Sequence, residues 1–200
     1  MGTLKFNTGK SFKYIKRGFI VAVALTVSAF TVGDQGAFRS VAGSHIVVNG
    51  TSNLHDWSMT ATNLSCEGTF TVKDDQLQDI TALNFTLPVQ NLKSKEALMD
   101  SRAYKALKAE QFNKVTFKLS DATVVPQQKV IKANGNLTIA GVTKQVALQT
   151  NYTINGNDLI CKGTKVIKMS DFNIKAPSFM MGALKTGDEV SIEIVLKLKN

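Results

Sequence analysis

Residues 131–154 read IKANGNLTIAGVTKQVALQTNYTI, and the period of that stretch decides the fold class. Ile131, Ala133, Gly135, Leu137 and Ile139 take every second position, with Lys132, Asn134, Asn136 and Thr138 between them. A period of two with one apolar face is a half-buried strand. Ala140-Gly141 then offers a two-residue turn. Beyond it Val146, Leu148, Tyr152 and Ile154 oppose Gln145, Gln149, Asn151 and Thr153. The segment predicts an antiparallel hairpin.

The same grammar extends in both directions. Toward the C-terminus, Asn155-Gly156-Asn157 is the strongest short hairpin signal in the chain, and Leu159–Met169 is a less cleanly patterned strand. Ser170–Gly187 reads as a long loop carrying Pro177 and the apolar run Phe179-Met180-Met181. Val190, Ile192, Ile194, Leu196 and Leu198 then alternate with Ser191, Glu193, Lys197 and Lys199. Toward the N-terminus, Asp34–Gly43 reads as a loose linker, followed by a strand at Ser44–Asn49 and a turn at Gly50-Thr51-Ser52-Asn53. Ser58–Val72 is strand again, with Cys66, Gly68, Phe70 and Val72 on one face. Asp74-Asp75 is a hairpin turn, and Leu83, Phe85, Leu87 and Val89 alternate beyond it, Pro88 marking an edge or bulge.

One stretch departs from this pattern. In Leu98–Leu119, LMDSRAYKALKAEQFNKVTFKL, the positions Leu98, Met99, Arg102, Tyr104, Ala106 and Leu107 suit a helix. From Val115 the period returns to two, so a short helix runs into a strand. Two readings stand: a plug or cap on a β structure, or a surface helix in a connection. About eight strands, each apolar on one face and joined by hairpin-length turns, give an all-β antiparallel fold. Two packed sheets or a closed barrel would bury those faces, and the barrel is preferred because it leaves no edges.

The net charge of +9 overstates the basicity of the folded part. Lys5, Lys10, Lys13, Lys16 and Arg17 lie in the first 17 residues with no acidic neighbour, and without them the balance is +4. That is too mild and dispersed for a nucleic-acid partner. These charges precede the apolar run Phe19–Val32, which is short for a membrane span. The pattern is that of a secretory signal peptide, with cleavage after Ala29 or near Gly33. The alternative is an uncleaved N-terminal anchor. Residues 1–33 are thus assigned to the signal peptide and the start of a linker, and 34–200 to a single β-barrel domain. The expected location is exported, periplasmic or extracellular, with no stable membrane span after signal removal.

Catalytic chemistry is sparse. His45, His55, Cys66 and Cys161 have no metal-ligand spacing, and no nucleophile elbow or phosphate-cradling glycine loop occurs. No metal or cofactor is expected. In an exported protein Cys66 and Cys161 either pair or lie buried as separate thiols. His55-Asp56-Trp57 either holds a ligand head group or caps a barrel end with its own hydrogen bonds. Phe179-Met180-Met181 is either an apolar lid or core filler.

Gly135-Asn136-Leu137-Thr138-Ile139-Ala140-Gly141-Val142-Thr143-Lys144-Gln145-Val146-Ala147-Leu148 resembles the G-x-L-T-I-x-G-V-T-K-x-V-x-L hairpin of the YceI-like polyisoprenoid-binding family. Ala140 stands where that family commonly has Arg. Val115 and Phe117 match its "P-x-I-x-F" strand, with Asn113 where a proline is usual. His55 matches its early histidine, Gly68 and Phe70 its G-x-F, and Phe172 with Gly187-Asp188-Glu189-Val190 its closing segment. The resemblance spans residues 44–198.

It implies a lipocalin-like antiparallel barrel holding an amphiphilic isoprenoid, polyprenyl or quinone-like, in an apolar tunnel. The tunnel candidates are Phe85, Leu87, Phe117, Leu137, Val146, Leu148, Tyr152, Phe179, Met180, Met181, Ile192, Ile194 and Leu196. The head-group candidates are His55, Asp56 and Trp57. The leading expectation is a non-catalytic lipid carrier, with a homodimer left open. The alternatives are an interaction module whose barrel is filled by its own side chains and, weakest, an enzyme using His55 and Asp56 as acid and base.

Overall fold

The structure, a computed structural model, describes residues 1–3, 34–179 and 183–200, with the backbone alone for Asp34, Phe179 and Leu184. The signal-peptide reading and the Met180-Met181 pair lie outside the described residues. Contacts divide the chain into two units, and the barrel belongs to the second, residues 32–200.

Among the described residues eleven strands form one antiparallel sheet that closes on itself. They are β1 (Asp34–Ser40), β2 (His45–Ser52), β3 (Trp57–Ala61), β4 (Ser65–Lys73), β5 (Gln76–Pro88), β6 (Lys114–Val125), β7 (Val130–Ile139), β8 (Val142–Asn155), β9 (Asp158–Lys168), β10 (Ser178–Phe179) and β11 (Leu184–Lys199). The eightfold expectation survives this count. β1 and β2 are two halves of one long strand bent at residues 41–44, and β3 and β4 are two halves of another bent at 62–64. Their pairing shows it: Gly50 faces Trp57 and Ile46 faces Ala61 in one half, and Arg39 faces Glu67 in the other. With the two-residue arm β10 set aside, eight long strands follow one another around the wall. β11 closes the ring by pairing with β9 on one side and with β1 and β2 on the other.

Asp34–Ser40 is therefore wall, not linker. Its signal was weak because Phe38 is the one large apolar residue in the stretch, and Phe38 is buried edge-on against Phe70 with ring centroids 5.2 Å apart. The long C-terminal loop is also shorter than expected. A 3-10 turn occupies Met169–Phe172, β10 pairs with the start of β11, and β11 begins at Leu184.

Where the period breaks, a bulge repairs it. On β5 the inward residues are Leu77, Ile80 and Leu83, three apart rather than two. The pairing with β4 skips Gln78 and Thr81, and each skipped residue restores the inward phase. The Ala140-Gly141 turn adopts positive φ at both positions, the geometry of a tight hairpin. Gly141 is needed twice over: its φ is +80°, and a Cβ there would lie 2.5 Å from the Phe112 ring.

The helix α1 (Ala97–Ala106) does not run straight into β6; a turn with Lys108 in the left-handed region intervenes. Met99, Ala103, Ala106 and Leu107 face the barrel interior, whereas Leu98 points outward at 61% exposure. The helix is thus a cap on the barrel. It is held by the segment before it: Tyr104 Oη lies 2.8 Å from the Leu92 carbonyl, and the Lys93 ammonium lies 5.2 Å from the Tyr104 ring centre. Asp100 accepts hydrogen bonds from the Ser94 backbone and hydroxyl, both at 2.7 Å.

Candidate functional site

The two ends of the barrel are filled differently. At the end away from α1, Phe38, Phe70, Leu77, Tyr152, Leu159 and Leu198 pack into a closed core. At the α1 end, smaller apolar clusters line the wall and the helix without meeting in the middle. The interior there is a cavity of about 490 Å³. Its lining is overwhelmingly apolar and comes from nearly every long strand, from α1 and from the residues before β10 and at the start of β11.

Phe85, Leu87, Phe117, Leu137, Val146, Leu148, Ile192, Ile194 and Leu196 all line this cavity, and so do His55 and Trp57. Tyr152 does not. It is buried in the closed end, with its hydroxyl directed at the Leu77 carbonyl 3.5 Å away. Asp56 lies outside, in a polar surface groove with Asn49, Ser58 and Glu189. The Phe179 backbone pairs with Leu184 in the β10–β11 arm, beside cavity-lining Pro177 and Lys185.

Trp57 is fixed by its neighbour: a Cβ on Gly50 would sit 2.1 Å from the indole, so only glycine lets the ring lie flat on β2. Its Nε1 donates to the Thr51 carbonyl at 3.1 Å. The turn carrying His55 is built by Ser52, whose hydroxyl donates to the His55 carbonyl at 2.7 Å and accepts the His55 N–H at 3.1 Å. Asn53 stitches this turn to the start of β11 through the Lys185 N–H and the Ala183 carbonyl. The His55 ring nitrogen lies 2.8 Å from the Asp56 backbone carbonyl, and no side-chain bond joins His55 to the Asp56 carboxylate among the described residues. The acid–base pair considered from sequence is not assembled.

Cys66 and Cys161 are both free and buried, and Cys161 lines the cavity floor. Burial pushes both thiols up to about 12, so they are protonated at neutral pH. Asp100 moves the other way. Burial alone would raise it, but the two Ser94 hydrogen bonds and the Lys93 charge outweigh burial and hold the carboxyl below its ordinary value. Among the described residues no group of three or more His, Cys, Asp or Glu is placed to hold a metal ion, and no helix is long and apolar enough to cross a membrane.

Sequence reasoning missed several lining residues. Val48, Met59, Met99 and Ala103 join the apolar wall, and Lys165, Lys185, Arg102 and Glu96 bring charge to it. For Lys165 a signal existed: it shares a phase with Cys161 and Ile167, but outward Ile160 and Val166 masked which phase of β9 is the inner one.

The model of the YceI-like domain family matches residues 35–198. No curated protein matches the chain. Among solved structures, BcnA of Burkholderia cenocepacia superposes with a TM-score of 0.64 at 18% identity, covering 78% of this chain and 96% of that one. A polyisoprenoid binding domain from Saccharophagus degradans, implicated in plant cell wall breakdown, gives 0.62 at 11% identity, covering 83% and 99%. The Campylobacter jejuni YceI protein gives 0.56 at 17% identity, covering 68% and 81%. At these identities the likenesses speak to the fold, and they agree with the closed eight-stranded barrel derived from the pairing. By its family match over nearly the whole barrel, this chain belongs to the YceI-like domain family.

Proposed function

We propose that the protein is an exported, non-catalytic carrier of an amphiphilic isoprenoid lipid. One observation carries this reading: apolar side chains from nearly every long strand face a cavity of about 490 Å³ that they do not fill. A cavity of that size and lining suits a hydrocarbon chain. Burying such a chain contributes roughly 25 cal/mol per Å² of apolar surface, before the ordering of chain and protein is subtracted. Family membership supports the reading, as does the Saccharophagus degradans neighbour, which is described as a polyisoprenoid binding domain. The basic and apolar N-terminus supports export, and N-terminal sequencing of secreted protein should begin after Ala29 or within the next several residues.

The test is native mass spectrometry of protein purified from its source, followed by organic extraction. A bound mass that extracts as a prenyl lipid is expected, and the same spectra report monomer or dimer. Protein that is lipid-free from every preparation, and that takes up no prenyl alcohol, would leave the self-filled interaction module in its place.

A further inference from the structure

We propose that the open end of the barrel docks on a membrane surface carrying anionic lipid, with the cavity mouth against the bilayer. This goes beyond the carrier reading, on which it rests only for the purpose of the contact. Among the described residues the cavity meets solvent at one end. The exposed residues that line it are Leu54 and His55 in the β2–β3 turn, Glu96 and Arg102 at the cap, and Lys185 at the start of β11. Those elements all belong to the α1 end.

The surface around that mouth is unlike the rest of the barrel. Among the barrel's described residues the exposed large apolar side chains are Leu54, Leu98, Phe112 and Val166. Three of these four sit at the open end: Leu54 on the rim, Leu98 on the outer side of the cap and Phe112 against the Gly141 turn. In the strand order β2 and β3 lie across the ring from β7 and β8, so Leu54 and Phe112 stand on opposite sides of it. None of the four is in a closed-end turn. Charge divides the same way. Lys93–Lys114 carries six cations against three carboxylates, and one of the three, Asp100, is buried beneath the cap. The other connections at this end add four exposed lysines, Lys144, Lys168, Lys175 and Lys185, and as many carboxylates, so the positive excess sits on the cap. On the outer side of α1, Leu98, Arg102 and Lys105 follow one another four and three residues apart, all exposed. Apolar side chains standing among cations suit an interface where acyl chains lie beneath anionic head groups. Docked there, a prenyl chain passes between bilayer and cavity without its tail meeting water.

The test is hydrogen exchange of protein purified from its source and stripped of lipid, with vesicles of phosphatidylcholine alone or of phosphatidylcholine with phosphatidylglycerol. Amides of residues 53–56 and 97–106 should slow severalfold with the anionic vesicles, and those of the Asp74-Asp75 and Pro126–Lys129 turns should not. Raising the salt from about 0.1 M to about 1 M, which shortens the screening length from about 10 Å to about 3 Å, should remove most of that protection. Leu98→Ser combined with Lys105→Gln, two positions that do not line the cavity, should weaken sedimentation with anionic vesicles severalfold. Uptake of farnesol from vesicle-free solution should stay unchanged in that variant. Protection that is absent, equal at both ends of the barrel, or untouched by the double substitution overturns the docking surface and leaves the carrier reading standing. A dimer that protects the same amides without vesicles, as protein concentration rises, overturns it in favour of a second copy. If the open end docks as stated but farnesol is never taken up, the carrier reading falls and the docking surface stands.

Discussion

The closed and open ends of this barrel are built from the same alternating strands, yet one is a core and the other a container. At the closed end aromatic and large aliphatic residues converge: Phe38 on Phe70, Tyr152 over Leu77, Leu159 beside Leu198. At the open end the facing residues include Ala103, Ala106 and Ala133, and the wall stays apart until α1 covers it. Alternation fixes which face is apolar; side-chain volume fixes whether that face touches its opposite. The closed end stabilises the fold so that the open end need not be filled.

The largest effect expected from that contrast is at Leu77, which has no exposed surface and does not line the cavity. Leu77→Ala should lower stability by roughly 2–5 kcal/mol, because the close-packed surroundings cannot collapse onto the void. Denaturant unfolding would measure it. A loss below about 1 kcal/mol would mean the closed end is as loosely filled as the open one.

The open end should respond in the opposite sense to added volume. Leu148→Trp would overpack a filled core by about 1–3 kcal/mol. Facing the cavity, the indole should instead occupy ligand space, leaving the melting temperature of lipid-free protein nearly unchanged and weakening prenyl binding. Unfolding of the variant, with no selective loss of lipid, would erase the distinction between the ends.

How much of this was legible in the sequence depends on the same division. Hairpins such as Ala140-Gly141 and the inward phases of β7, β8 and β11 could be read directly, because period and turn chemistry are local. β1 could not, since it shows one large apolar residue and owes its place to pairing with β4 and β11. Nor could the boundary between filled and empty barrel. Tyr152 and Leu148 share one face of one strand, yet one packs in the closed core and the other lines the cavity, a difference set by what stands across the barrel.

The cap carries a dependence on pH of its own. Asp100 has a folded-state carboxyl held below its ordinary value, so the contribution it makes is present above the ordinary carboxylate range. That contribution is lost as pH falls through the depressed folded-state value. Hydrogen exchange in α1 should therefore accelerate, relative to the closed-end strands, as pH is lowered below about 4. Asp100→Asn should loosen the helix by roughly 1.5–3 kcal/mol at neutral pH, the scale for hydrogen bonds to a charged group. It should also flatten the acid dependence. An α1 that exchanges in step with Leu77 and Leu159 at every pH would show that cap and core open as one unit.

The smallest expected effect lies on the boundary itself, where the two thiols differ in access and not in chemistry. Burial raises both to about 12, so the intrinsic reactivity of Cys66 and Cys161 at a given pH is alike. Both thiols belong to the closed core, but Cys161 also lines the cavity floor and Cys66 does not. A small apolar thiol reagent such as methyl methanethiosulfonate can reach Cys161 through the mouth, but it meets Cys66 only when the wall opens. With single-thiol variants Cys66→Ala and Cys161→Ala, mass-spectrometric labelling should be severalfold faster at Cys161. Prenyl alcohol filling the cavity should slow that site and leave Cys66 untouched. Equal rates with and without lipid would mean that reagent reaches both thiols only by opening of the strands, and the floor of the container would then lie above Cys161.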